Sequence, residues 1–217
     1  MTKTSWTATE WTALGNVLLG LGTFIGAFAV IGAAYLGSRT FNGWRRQKLS
    51  ERRIEQAERI LTATYKVRRG LSFVRNPMLW AYESQKAEDD LKEKGVLLGD
   101  EHSNRRMITQ QLYFARLNAV LDERKALEEC QPMARALFNE ELELAIEGLN
   151  QQFQSVNAAV QAQYHFNENT DRAFQESMVA ILWAGYPAPE KNELDRKIAE
   201  YVATIEKHCV SVLRLER

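Results

Sequence analysis

An all-α fold, one N-terminal transmembrane helix followed by a cytoplasmic antiparallel helical bundle, is predicted by three observations. Residues Trp11 to Ser38 run for 28 positions without a charged side chain. Beyond them, apolar residues recur at alternating steps of three and four, the period of one helix face. Only four prolines occur in 217 residues, and strand-favouring residues are scattered instead of alternating, which argues against an all-β chain. The hydrophobic share is 45% and the charged share 26%, ordinary values that disfavour wholesale disorder.

The apolar run comes first. A hydrocarbon core of about 30 Å needs ~20 helical residues, so residues 12–38 span it with some to spare, leaving 1–11 as a short segment outside. Six of the twelve glycines lie within the run, a density that weakens a helix in water but is common in lipid. Trp6 and Trp11 mark one interface, and Tyr35, Phe41 and Trp44 the other. A cleavable signal peptide would place basic residues before a shorter run. Here only Lys3 precedes it, whereas Arg39, Arg45, Arg46, Lys48, Arg52 and Arg53 follow. Lys and Arg are retained on the cytoplasmic side, so the expected topology is an uncleaved single-pass anchor with residues 39 onward in the cytoplasm. Arg39, Arg45, Arg46 and Lys48 are the expected contacts to anionic lipid, at about 1 kcal/mol each near the surface.

Small residues fall on one stripe of the span: Gly15, Gly22, Gly26, Ala29 and Ala33. Such residues let helix backbones approach closely in lipid, where packing drives association. The stripe predicts a homo-oligomer.

Residues 39–75 hold eleven basic against three acidic side chains, a net of +8. Ala57, Ile60, Thr64, Val67, Leu71 and Val74 form a heptad-like seam there, predicting a basic juxtamembrane helix that stops before Asn76-Pro77. An upright helix is expected, its basic residues facing an acidic body. A bend at Asn42-Gly43 would instead lay it along the lipid surface.

Residues 76–217 form that body, with sixteen basic against twenty-four acidic side chains, a net of −8. Helices are expected over about 79–94, closed by Gly95, and over about 104–129 after a loop at Gly99-Asp100. A further helix is expected to start with Pro132 in its first turn and to carry the seam Leu142, Ile146, Leu149, Phe153, Val156 and Val160. Another begins near Thr170 with Phe174, Met178 and Ile181 on one face. The break Gly185-Tyr-Pro-Ala-Pro189 follows, and Pro189 opens a last helix faced by Leu194, Ile198, Tyr201, Ile205, His208, Val212 and Leu215.

The chemistry-bearing patterns are sparse. No glycine-rich phosphate loop, CxxC or HExxH occurs, so no cofactor, no metal site and no catalytic residue is expected. With 28 basic and 28 acidic residues balancing, no nucleic-acid partner is expected either. His208 and Cys209 are adjacent, yet neighbouring helical residues point about 100° apart and cannot share a proton. The expected role of His208 is structural, bonded to a carboxylate or backbone carbonyl near the bundle end. Cys130 and Cys209 are expected as reduced, small core residues. Glu140, Glu143 and Glu147 share a helix face and read as solvated, without the histidines of a metal site. Arg68, Arg69 and Arg75, near Asn76-Pro77, are candidates for a phosphate-bearing ligand, with lipid contact or salt bridges to the acidic body as the favoured roles.

The juxtamembrane pattern Tyr65-Lys-Val-Arg68, Val74-Arg75 and Asn76-Pro77, following a span, resembles a group of uncharacterised bacterial single-span inner-membrane proteins over residues 12–80. The resemblance implies an inner-membrane location and no mechanism. The chain is therefore expected to be a non-enzymatic, self-associating scaffold that docks an unidentified cytoplasmic protein at the bilayer. The alternative is a membrane effector, for example in phage exclusion, acting through clustering of its span.

Overall fold

The computed structural model describes residues 8–97, 100–166 and 170–214. Among them there are eight α-helices, one 3-10 turn and no strand, in agreement with the helical class read from the periodicity. The chain divides into two compact units, residues 1–52 and 53–217.

The described residues of the first unit lie within helix α1, Ala8–Val74, which passes through Asn42-Gly43 uninterrupted. It contains the only segment among the described residues long and apolar enough to cross a membrane, with a mean hydropathy of 2.2 over its best 18-residue window and none of that window buried.

The second unit closes a core. Compact packing begins at Arg53, inside the stretch expected to form the neck, because the heptad seam there is the side the core covers. Ala57, Ile60, Thr64, Val67 and Val74 are fully buried and Leu71 nearly so. Helix α2 (Ala81–Glu93) ends where expected. Gly95 adopts a φ of 64°, and the amides of Gly95 and Val96 return to the carbonyls of Lys92 and Leu91, a left-handed cap that favours glycine. Leu98 and Gly99, within the expected loop, lie outside the described residues.

The helix expected over 104–129 is two. Helix α3 (Glu101–Ala119) starts three residues early because the Asp100 carboxylate accepts from the amides of His102 and Ser103, satisfying orphan donors of the first turn. It ends at Val120, and α4 (Leu121–Glu128) resumes. Val120 lies where Gly70 leaves room: a Cβ at Gly70 would be 3.2 Å from Val120 Cβ and Cγ1.

The next expected helix is also divided. Helix α5 (Gln131–Leu137) has Pro132 in its first turn, as read. Asn139 then caps a separate α6 (Glu140–Tyr164), its side chain accepting from Leu142 N–H with Glu140, Glu141 and Glu143 in the first turn. All six expected seam residues of α6 are buried, and α6 packs against α3, α4, α5, α7 and the last helix. Helix α7 (Arg172–Leu182) is capped by Asp171; it buries Leu182 fully, whereas Phe174 is exposed. The break after it contains a cis Tyr186-Pro187 bond.

Pro189 opens a 3-10 turn, Pro189–Lys191, and Asn192 caps the last helix, α8 (Glu193–Leu213). Its buried face is Leu194, Ile198, Val202, Ile205 and Cys209. Leu194, Ile198 and Ile205 are buried as expected, while Val202 and Cys209 are buried where Tyr201 and His208 were expected and Tyr201 is partly buried, its ring over Gly148, where a Cβ would lie 2.4 Å from Tyr201 Cζ. Leu215 lies outside the described residues.

Candidate functional site

The residues expected to act at the membrane are all on the first unit. Gly15, Gly22, Gly26, Ala29 and Ala33 are exposed along α1, and a Cβ built on any of the three glycines meets nothing within 4 Å. The neighbouring surface is aromatic and aliphatic, with Phe24 and Phe28 in tilted contact at 5.5 Å between centroids. Thr12 and Thr23 donate their hydroxyls to the carbonyls of Ala8 and Leu19, which satisfies them within the helix.

The basic flank follows. Arg39, Arg45, Arg46 and Lys48 are exposed. Lys48 Nζ pairs with Glu51 at 2.7 Å, and Gln47 donates to the same carboxylate at 3.1 Å. The Lys48 bond, with help from Gln47, holds the Glu51 carboxyl below its ordinary range. Trp44 is 54% exposed beside these cations, giving an aromatic and basic surface of the kind that suits a headgroup layer.

In the second unit the basic residues of 53–75 divide by face. Arg59 pairs with Glu129 at 3.0 Å, and Tyr65 donates to Glu206 at 2.7 Å. That bond raises the Tyr65 phenol, since ionising it would place two negative charges together. Arg68 and Arg69 are exposed, whereas Arg75 is buried, so the three do not converge on a phosphate ligand. Of the two favoured roles, a salt bridge to the acidic body is the one found at Arg75.

Arg75 is the centre of a polar knot that the sequence did not reveal. Its guanidinium is 1% exposed and pairs with Asp195. Nε donates to Ile181 O at 2.7 Å, and Nη2 to Ala180 O and Asn192 Oδ1, each at 3.2 Å. These acceptors include carbonyls left unpaired at the end of α7. Asn192 Nδ2 donates to Ala180 O and Tyr186 O, and Asp195 Oδ2 accepts from Gly185 N–H at 2.7 Å. Burial pulls the Arg75 pKa down while Asp195 opposes the shift.

A second buried arginine works in the same way. Arg116 is bound at both its Nε and Nη2 by Glu83, at 3.2 and 2.6 Å. It also donates to Asn76 O and Met78 O, each at 2.8 Å, and lies over the Phe73 ring. The Arg116 bond outweighs burial and holds the Glu83 carboxyl low. In both cases the carbonyl ends and carboxylates they meet account for their burial.

His208 is half-buried, and its Nε2 lies 3.1 Å from Glu141, the expected carboxylate partner. That contact, with Lys207, keeps the Glu141 carboxyl low. Glu143 pairs with Arg135 at 2.8 Å. Among the described residues, no group of three or more His, Cys, Asp or Glu side chains is placed to hold a metal ion. Cys130 and Cys209 are both buried and unbridged. Compared with protein families, with curated proteins and with solved structures, the chain matches none.

Proposed function

We propose that the chain is a single-span inner-membrane protein whose residues 12–38 cross the bilayer, with the N-terminus outside and the second unit in the cytoplasm as an antiparallel bundle. Its role is that of a self-associating scaffold docking a cytoplasmic protein. One observation carries the reading: every residue from Trp11 to Ser38 is exposed, although the second unit closes a core of its own. A contiguous apolar surface of that length, far beyond the few hundred Å² common on soluble monomers, marks a membrane or interaction site.

Orientation rests on the basic flank from Arg39 to Arg53, which opposes translocation. Self-association rests on the open stripe Gly15, Gly22, Gly26, Ala29 and Ala33. Docking is supported by an exposed apolar run at the start of α2 and before it, where Met78, Trp80 and Tyr82 are 56%, 49% and 69% exposed.

The test is a reporter fusion after Arg217, together with disulfide-independent crosslinking in native membranes. Activity of a cytoplasm-only reporter, and loss of crosslinked dimer when Gly22 and Gly26 are replaced by Ile, are the expected results. Periplasmic reporter activity overturns the orientation, and unchanged dimer yield removes the stripe from the account.

A further inference from the structure

The second unit contains an open cleft of about 590 Å³ between the first turns of α3 and the end of α6. This volume lies within the ~300–1,000 Å³ typical of small-molecule pockets. His102, Arg105 and Arg106 line one side, and Val160, Tyr164 and Phe166 the other. The carboxamides of Gln110 and Gln163 add hydrogen-bonding groups between them.

Charge sets this cavity apart from its surroundings. Residues 76–217 carry twenty-four acidic and sixteen basic side chains, yet among the described residues the lining holds two arginines and no carboxylate. Arg105 reaches Glu101 through an exposed pair at 3.0 Å, where Glu101 is 88% exposed, so its charge is only weakly committed. Arg106 donates from Nη1 to Phe166 O. Its Nε is buried without a partner. The opposite wall is aromatic, with Tyr164 and His165, and Phe166 and Phe174, in T-shaped contact.

We propose that this cavity binds a small organic anion carrying a planar ring, with the ring against Tyr164 and Phe166 and the anionic group bonded by Arg105 and Arg106. Guanidinium groups bind phosphate and carboxylate through paired N–H donors, and the apolar wall excludes water from the ring. Membrane anchoring is independent of this site, so the two are tested separately.

The experiment is calorimetric titration of the full chain in nanodiscs of zwitterionic lipid, with adenosine monophosphate as probe and adenosine and inorganic phosphate as its two halves. Adenosine monophosphate is expected to bind about tenfold or more tightly than either half. Arg105→Gln is expected to weaken it about tenfold, the scale of one charge-assisted bond. Gln110→Trp, which fills the cavity, is expected to abolish binding while leaving the thermal midpoint in place. Arg106→Gln also removes the bond to Phe166 O, so it is read only beside Gln110→Trp. Equal affinity for adenosine monophosphate and inorganic phosphate overturns the proposal, as does binding unchanged in Gln110→Trp, which would place the anion on the basic flank instead.

Discussion

Two stretches of one helix invert the usual relation between hydrophobicity and burial. Trp11 to Ser38 is uncharged and every residue is exposed. Arg53 to Arg75 is dense in charge, yet Ala57, Ile60, Thr64, Val67 and Val74 show no exposure at all. The difference is one of pattern. The first stretch is apolar all round and long enough to cross a membrane, with no polar side to set against water. The second is apolar on one stripe only, and that stripe is covered by protein. Burial within the protein therefore follows periodicity, while total hydropathy reports the solvent.

The largest expected effect that would break this comparison is at Arg75. Removing it as Arg75→Ala leaves Asp195 Oδ1 and the Ile181 carbonyl without the Arg75 donor, while Asn192 still serves Ala180 O, and breaking a buried pair from one side costs on the order of 3–5 kcal/mol. Denaturant unfolding of the full chain in micelles, followed by tryptophan fluorescence, reads it. A loss below about 1 kcal/mol would mean the knot behaves as a surface pair.

A matched pair of leucines sharpens the contrast. Leu71 is 1% exposed and Leu21 54% exposed. Leu71→Ala is expected to cost about 2–5 kcal/mol in the same assay, and Leu21→Ala less than about 0.5 kcal/mol. Leu21→Arg should leave unfolding of the second unit unchanged but hinder membrane insertion by about 3 kcal/mol, measured by glycosylation mapping. Equal losses at the two leucines would remove the distinction between the stretches.

A smaller effect is expected where α6 meets α8. Gly148→Ala places a methyl group against the Tyr201 ring, and overpacking costs typically about 1–3 kcal/mol. In a Tyr201→Ala background the sign should reverse, because alanine is favoured over glycine within a helix by about 0.5–1 kcal/mol. Persistence of the cost in the double variant would place the conflict elsewhere.

The smallest effect is on the thiols. Burial pushes Cys209 up to about 12, with the nearby Cys130 adding to it, and Cys130 is likewise raised by burial. The thiolate is the nucleophile, so at pH 8 the folded chain should resist a disulfide reagent and react only on unfolding. A raised thiol means that the unfolded state loses its proton first. Stability should therefore hold below the ordinary thiol value of about 9 and fall as pH rises from there toward 12. Fast labelling of Cys209 in the folded chain would contradict its burial.

Parts of this fold were legible for physical reasons that can be named. The seams on α1 and α6 were read correctly because three- and four-residue steps leave only one face to bury. Gly95 and the stop before Pro77 were read from backbone chemistry alone. Asn139 was a missed signal: a capping residue followed by three glutamates in the first turn announces a helix start, and it divides what periodicity joined. The break at Val120 had no comparable local mark. Val120 packs where Gly70, fifty positions earlier in the sequence, leaves room.

By itself the sequence determined the helical class, the uncharged segment and the asymmetry of charge around it, because these follow from composition and period along a single stretch of chain. Only the tertiary structure decided which cations are buried and where a cavity opens. Arg75 and Arg116 carry the same charge as Arg68 and Arg69, and no local pattern separates them. What separates them is the set of carbonyl ends and carboxylates brought from Ile181, Asp195 and Glu83, since a buried charge persists only where distant parts of the chain supply its partners.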